Sequence, residues 1–245
     1  GALHFSKSSP AGRVFHTLEK QLVPQSDRII FESEYAASTY RHQIGEVGAK
    51  GTVVHNGLAE SEFSKIETNC EFDFVFVGEL RDLKGVEFLL RALPDVTTPQ
   101  GNPARLLLIG DGPHREQFEQ LSIELNLQDR VEFAGAQPAR NGFARANIVV
   151  VPSLKESLPY VVMEAVAAEK SVITTDVGGI SEIFGPEKAR LLPPSDSKAL
   201  SRTMQQYLAG GEDLAAHNQR LQNHVHSRFS IEKMASRILA IYLNQ

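Results

Sequence analysis

Asn147-Ile148-Val149-Val150-Val151-Pro152-Ser153-Leu154-Lys155-Glu156-Ser157-Leu158-Pro159-Tyr160-Val161-Val162-Met163-Glu164 decides the fold. The continuous apolar run Ile148 to Val151 reads as a buried strand end. Pro159 stands where a helix would begin, a position at which the N–H that proline lacks is not needed. The N–H groups of Tyr160, Val161 and Val162 would then point out of the helix toward an anion. Glu156 and Glu164 lie eight positions apart. At about 3.6 residues per turn, that spacing leaves both carboxylates near one face. One strand–loop–helix unit thus offers a phosphate cradle with an acid on either side. Carboxylates accept hydrogen bonds from hydroxyls, in which sugars are rich. The combination points to a nucleotide-sugar diphosphate.

On either side the chain alternates strand and helix. Strands are expected at Phe72 to Val77, Arg105 to Ile109, Val131 to Phe133, Asn147 to Val151 and Ser171 to Thr175, with Leu191-Leu192 ending one more. Helices are expected over Gly85 to Leu93 and His114 to Leu125, where apolar residues recur at helical spacing. Such alternation means an α/β fold, a Rossmann-like parallel sheet with helices on both faces, binding its ligand at the carboxyl ends of the strands. Toward the C-terminus, Ser195 or Asp196 can cap a helix that Gly210-Gly211 ends. Ser230 can cap a final helix with Ile231, Met234, Ile238, Ile241 and Tyr242 on its apolar stripe. The first stretch is separate: two strands, Arg28 to Phe31 and Thr52 to Val54, flank a helix from about Glu34 to Ile44, and Asn56-Gly57 turns the chain.

Composition sets the limits. The chain has 245 residues, 42% hydrophobic and 22% charged, as in an ordinary globular protein. A net charge of -5 argues against nucleic acid as a partner. No apolar run is long enough to cross a bilayer. The single cysteine, Cys70, fits a reducing cytoplasm. His217, His224 and His226 are not spaced as a metal group and read as a solvated helix face, so no metal is expected. A Gly-x-x-x-x-Gly-Lys-Ser/Thr phosphate loop is missing from the sequence, which disfavours an NTPase.

The loop Gly78-Glu79-Leu80-Arg81-Asp82-Leu83-Lys84-Gly85 follows the first long strand and opens a helix, a natural anion site. Lys84 would bring a positive charge to a diphosphate, and Arg81 could add a second. Gly110-Asp111-Gly112-Pro113 turns tightly after the next strand, where a ligand could approach the backbone.

The run from Glu156 to Glu164 resembles the Glu-x7-Glu motif of the retaining glycosyltransferases of family 4, which have the GT-B fold. Ser157 and Pro159 stand where that family usually has glycines. The Gly78–Gly85 loop resembles the family's Gly-Arg-Leu-x-x-x-Lys-Gly, with Lys84 matching and Glu79 in place of the arginine. A carboxylate beside a diphosphate is repulsive. Either Glu79 points away and Arg81 substitutes, or the donor is handled differently. Gly110 and Gly112 resemble the family's turn near the nucleotide, and Val131 to Gly135 the stretch whose backbone meets the base, with Val131 and Phe133 as contacts. Val177-Gly178-Gly179-Ile180-Ser181-Glu182 resembles a loop facing the cleft between the two domains.

The resemblance implies a hexosyltransferase that moves a sugar, with retention, from a nucleotide-diphosphate sugar to a glycan or lipid-linked acceptor in polysaccharide or glycoconjugate biosynthesis. The resemblance leads us to expect no cofactor and no metal. Lys84 and Glu156 carry the chemistry. Gly78, Arg81, Gly110, Gly112, Val131, Phe133, Ser157, Leu158, Pro159, Tyr160, Val161 and Glu164 complete the donor site, with Glu164 on the ribose. Residues 1–57 read as the end of an N-terminal acceptor domain plus linker, 58–228 as the donor domain and 229–245 as a C-terminal helix. Most of the acceptor domain, ~150 residues, would precede this chain. The donor-binding part alone is expected to be inactive. Peripheral association with the inner membrane face is open to the full-length enzyme. Two rival readings are a sugar-nucleotide epimerase of the same fold and a non-catalytic nucleotide-binding module.

Overall fold

The computed structural model describes residues 9–243. Its centre is a five-stranded parallel sheet: β3 (Phe74–Val77), β4 (Leu106–Ile109), β5 (Val131–Phe133), β6 (Ile148–Val151) and β7 (Ser171–Thr174). The earlier strands β1 (Ile29–Phe31) and β2 (Gly51–Val53) form a parallel pair of their own, with Ile30 opposite Thr52.

The apolar runs divide between the two sheet faces with period two. Phe74, Phe76, Leu106, Leu108, Ile148 and Val150 enter one buried cluster. Val75, Leu107, Ile109, Val149 and Val151 enter the other. Helices α3 (Val86–Ala92), α4 (Arg115–Glu124) and α8 (Ser197–Ala209) cover the first face. Helices α5 (Ala139–Phe143), α6 (Tyr160–Ala167), α7 (Ile180–Phe184) and α9 (Glu212–Arg228) cover the second. Burial on both sides explains why these strands read as continuous apolar runs.

The strand order is β5-β4-β3-β6-β7. The chain winds outward from β3 through β4 to β5, then returns to the other side of β3 as β6. The order reverses between β3 and β6, so the loops leaving these two strands part and open a crevice.

Local signals placed most helix ends. Asp196, rather than Ser195, caps α8, its carboxylate accepting the Ala199 N–H at 2.8 Å, and Gly210 ends it with φ +67°. Ser33 Oγ caps α2 (Glu34–Gln43) by accepting the Ala36 N–H at 3.0 Å. Leu192 forms a parallel bridge to Thr175 and not a further strand.

Three expectations are corrected. Helix α1 (Pro10–Leu22), capped by Ser9, was not anticipated. Its exposed Val14, Leu18 and Leu22 form a stripe at four-residue spacing. His217 is fully buried, bonded through Nδ1 to Glu187 at 2.7 Å, and so does not belong to a solvated face. The final helix α10 (Ile231–Leu243) buries none of its residues. Met234, Ile238 and Ile241 are half-buried, whereas Ile231 and Tyr242 of the same expected stripe are exposed.

The N-terminal unit packs Phe31, Ala36, Ala37 and Val47 into a small core. Its linker is stitched to the C-terminal side: the Leu58 N–H donates to Phe229 C=O at 2.7 Å and the Ile231 N–H to Leu58 C=O at 2.8 Å.

Candidate functional site

The crevice at the β3/β6 reversal holds a cleft of about 240 Å³ lined by Glu79, Arg81, Leu83, Lys84, Lys155, Glu156 and Ser157. The β3 loop supplies the first four residues and the β6 loop the last three. The Leu154 N–H donates to Leu83 C=O at 2.8 Å and joins the loops. A larger hollow of about 480 Å³ lies between His55 and the start of α10, lined mainly by exposed side chains and away from the strand ends.

Lys84 ends a short 3-10 turn, Asp82–Lys84, that Gly85 closes before α3. Its Nζ meets Glu156 Oε1 at 2.7 Å, and Ser153 Oγ donates to the same oxygen at 2.7 Å. The Glu156 side chain is 9% exposed and that of Lys84 26%, so the pair is largely withdrawn from water and fixed in place. Arg81 and Glu79 pair at 3.3 Å, both close to half exposed. Glu79 therefore does not point away: it lines the cleft with its charge met by Arg81. Lys155 also lines the cleft, giving three cations against two carboxylates. Nothing in the sequence singled out Lys155, whose only signal is its place before Glu156.

Pro159 sits one residue before α6, as its N-cap, with φ -71° and ψ 119°. The Val162 N–H turns to Pro159 C=O at 3.3 Å, so this third expected anion donor is occupied. Tyr160 and Val161 keep the first two N–H groups of the helix. Leu158 and Pro159 are buried beneath them.

Tight backbone packing shapes the rim. Gly110, at φ +141°, lies so close to the preceding loop that a Cβ there would fall 1.8 Å from Gly78 C=O. The Gly110–Pro113 turn is zipped to that loop by Leu80 N–H to Asp111 C=O at 2.9 Å and His114 N–H to Leu80 C=O at 3.0 Å. Gly110 and Gly112 thus receive a neighbouring backbone and shape the Gly78 loop. Likewise, a Cβ on Gly178, at φ +62°, would sit 2.0 Å from Glu156 C=O. The Gly179 N–H donates to Ser157 C=O at 2.6 Å, so this loop clamps the backbone of the β6 loop.

Glu164 stands on α6 outside the cleft lining, facing Glu62 and Arg140. Burial first, then the Glu62 charge, raises its pKa above the usual carboxylate value, with Arg140 opposing. Phe133 ends β5 at the ligand side, and its C=O accepts from Arg115 Nη2 at 3.2 Å. Val131 begins the same strand, paired with Leu106 and packed in the core at the opposite end of the sheet. The structure does not bring it to the site.

Two further residues tie the N-terminal unit to these loops, and sequence reasoning gave neither a role. Glu182 accepts the N–H groups of Glu34 and Tyr35 at 2.9 Å each, and its Oε2 lies 2.8 Å from His55 Nε2. Its carboxylate therefore meets the positive end of α2. Ser157 Oγ donates to Glu32, the residue after β1. The signals available were the loop assigned to the interdomain cleft and Ser33 as a helix cap.

Sheet, reversal point and cleft define an α/β domain that gathers Arg81, Lys84 and Lys155 with Glu79 and Glu156 at its strand ends. The chain belongs to the glycosyl transferases group 1 family, whose model matches residues 59–224. It is 28% identical over 196 residues to an uncharacterized glycosyltransferase of Methanocaldococcus jannaschii, covering 73% of this chain and 50% of that protein. It is 30% identical over 188 residues to the N-acetyl-alpha-D-glucosaminyl L-malate synthase of Bacillus anthracis, covering 76% of this chain and 46% of the enzyme. The chain thus spans about half the length of these curated relatives. It shares its fold with Anabaena HepE, solved with UDP and glucose: TM-score 0.84 at 20% identity, over 100% of this chain and 69% of HepE. These neighbours have the GT-B fold. Among the described residues no helix is long and apolar enough to cross a membrane. Nor do they include a group of three or more His, Cys, Asp or Glu side chains that could hold a metal ion.

Proposed function

We propose that this chain is the donor-binding part of a glycosyltransferase that moves a sugar, with retention, from a nucleotide-diphosphate sugar to a glycan or lipid-linked acceptor. The carrying observation is the Lys84–Glu156 pair at 2.7 Å in the crevice between the β3 and β6 loops. The loop that carries Glu156 runs on into α6, whose first N–H groups are those of Tyr160 and Val161. As the bond between sugar and diphosphate breaks, negative charge grows on the leaving diphosphate. Lys84 and the start of α6 are already in place to meet it, so little reorganisation is needed. Arg81 and Lys155 add positive potential, which this reading puts to the work that a divalent cation does in other transferases. Glu156, held by Lys84 and Ser153, is left to accept hydrogen bonds from hydroxyls of the sugar.

Glu164 takes the ribose in this account. Burial first, then the Glu62 charge, raises its pKa, and two ribose hydroxyls could donate to its carboxylate. Phe133 and the Gly110–Pro113 turn border the side where the base would lie. HepE, of the same fold, was solved with UDP and glucose, which makes uridine the first base to try. The acceptor would be held in the cleft between this domain and an N-terminal one. The active enzyme is expected in the cytoplasm or at the inner face of its membrane.

The test is thermal unfolding against a panel of sugar nucleotides. A ligand that binds only the folded state raises Tm by mass action, by about 2.7 kcal/mol of stability at 100 times its Kd. One member of the panel is expected to raise Tm in the wild type and to do so less in Lys84→Ala. A flat panel would remove the donor reading, and equal shifts in both proteins would remove Lys84 from it.

A further inference from the structure

One carboxylate of the N-terminal unit, that of Glu32, reaches a residue that lines the cleft. Glu32 follows β1 directly, and one of its oxygens accepts Ser157 Oγ. Ser157 itself lines the cleft beside Glu156. We propose that Glu32 reads a hydroxyl of the transferred sugar and so helps to choose the donor, an inference that rests on the donor reading above.

Three observations carry it. Glu32 is half-buried and fixed from behind. Ser33 caps α2 at 3.0 Å, and the next two N–H groups donate to Glu182 at 2.9 Å each. With His55 at 2.8 Å on the same carboxylate, the segment after β1 is clasped to the donor domain at a defined place. Glu32 also retains capacity: only one of its oxygens has a hydrogen-bond partner among the described residues. Glu156 differs, because Lys84 and Ser153 converge on its Oε1. Charge decides the ligand group. A carboxylate repels a diphosphate, and the cations Arg81, Lys84 and Lys155 mark where the diphosphate would lie. What remains on the Ser157 side is the uncharged, hydroxyl-rich sugar. A hydroxyl there can donate to the open oxygen of Glu32 while Ser157 keeps the other.

Glu32 is thus a specificity residue supplied across the cleft by the other unit. Its contribution requires both units to be docked, so the clasp at Glu182 would help to set donor choice.

The test compares affinities for UDP-glucose and UDP, and for GDP-mannose and GDP, by calorimetry on the full chain. The wild type is expected to bind one pair. Glu32→Ala should leave the diphosphate affinity within twofold, which also reports an intact fold. It should change the ratio of sugar-nucleotide to diphosphate affinity by at least about tenfold, the scale of a hydrogen bond to a charged group. Glu32→Gln, which keeps an acceptor oxygen, should recover part of that ratio. If the wild type binds a pair and Glu32→Ala leaves the ratio unchanged, or weakens both ligands equally, Glu32 does not read the sugar and the donor site still stands. If the wild type binds neither pair, both readings fall together.

Discussion

The molecule contains two parallel β–α assemblies of very different size. The five-stranded sheet buries apolar residues on both faces, in two large clusters. The β1–α2–β2 unit has two strands and a core of four buried residues, and Ile30 is 40% exposed. Both obey the same local rules of strand, cap and helix. They differ in how many neighbours each strand finds, and a two-stranded sheet is marginal alone. The large sheet can therefore hold Lys84 and Glu156 by its own packing. The small unit keeps its place through Glu182, Ser157 and the linker. Rigid positioning comes from one assembly, and a dependent contribution from the other.

The largest expected effect tests the first half of this contrast. Phe74 is fully buried in the middle strand, and Phe74→Ala should cost about 3–5 kcal/mol of global stability in urea denaturation. Phe31→Ala, in the small core, should instead speed hydrogen exchange over residues 29–53 and leave most of the main transition in place. Equal global losses from both would mean that the assemblies fold as one unit.

Gly178→Ala comes next. It forces a side chain into a left-handed backbone site against Glu156 C=O, at a cost of about 1–3 kcal/mol or more. It should also weaken sugar-nucleotide binding by displacing the β6 loop. Unchanged binding would show that the loop is not held by this contact.

Glu182→Ala should cost about 1–3 kcal/mol, felt locally, because it strips two N–H groups at the start of α2 of their partner. Faster exchange at β1, α2 and β2 with β3–β7 unaffected would support the clasp. No change in either would contradict it.

The smallest effect concerns pH. Burial holds His217 and His224 below their ordinary value of 6.5. Arg220 chiefly, with His217, pulls Glu187 from 4.5 down to about 2. In all three the unfolded chain binds the proton more readily, so stability falls as pH drops. The histidines act first, as pH falls through the region of 6.5. The Glu187 contribution is complete above 4.5 and is lost on the way to about 2. Tm should decline from neutral pH downward, and His217→Gln should flatten the upper part of that decline. An unchanged slope would place the sensitivity elsewhere.

Much of the large assembly was legible because its signals are local. Apolar runs ending at glycine or proline marked β3, β4 and β6, and their carboxyl ends located Lys84 and Glu156. What failed depended on partners distant in sequence. His217 sits among Ala216, Asn218, Gln219 and Arg220, and its contacts with Glu187 and Phe184 reach some thirty residues back along the chain. Val131 misled because a short strand does not announce which of its ends meets the ligand. Gly110 and Gly112 suggested an approaching ligand, when the approaching backbone is the chain's own. Helix α1 was missed because its Val14, Leu18 and Leu22 stripe is interrupted by polar residues and stays exposed. The contacts of Glu182 and Glu32 cross the linker, and no spacing in the sequence joins residues 148 and 125 positions apart.

The central claim is that a diphosphate binds between Lys84 and the start of α6. Calorimetric titration of the wild type, Lys84→Ala and Glu164→Ala with the same nucleoside diphosphate tests it most directly. The account predicts that Lys84→Ala weakens binding more than tenfold, a loss of about 1.4 kcal/mol or greater, and that Glu164→Ala also weakens it. Wild-type affinity in Lys84→Ala would contradict the account.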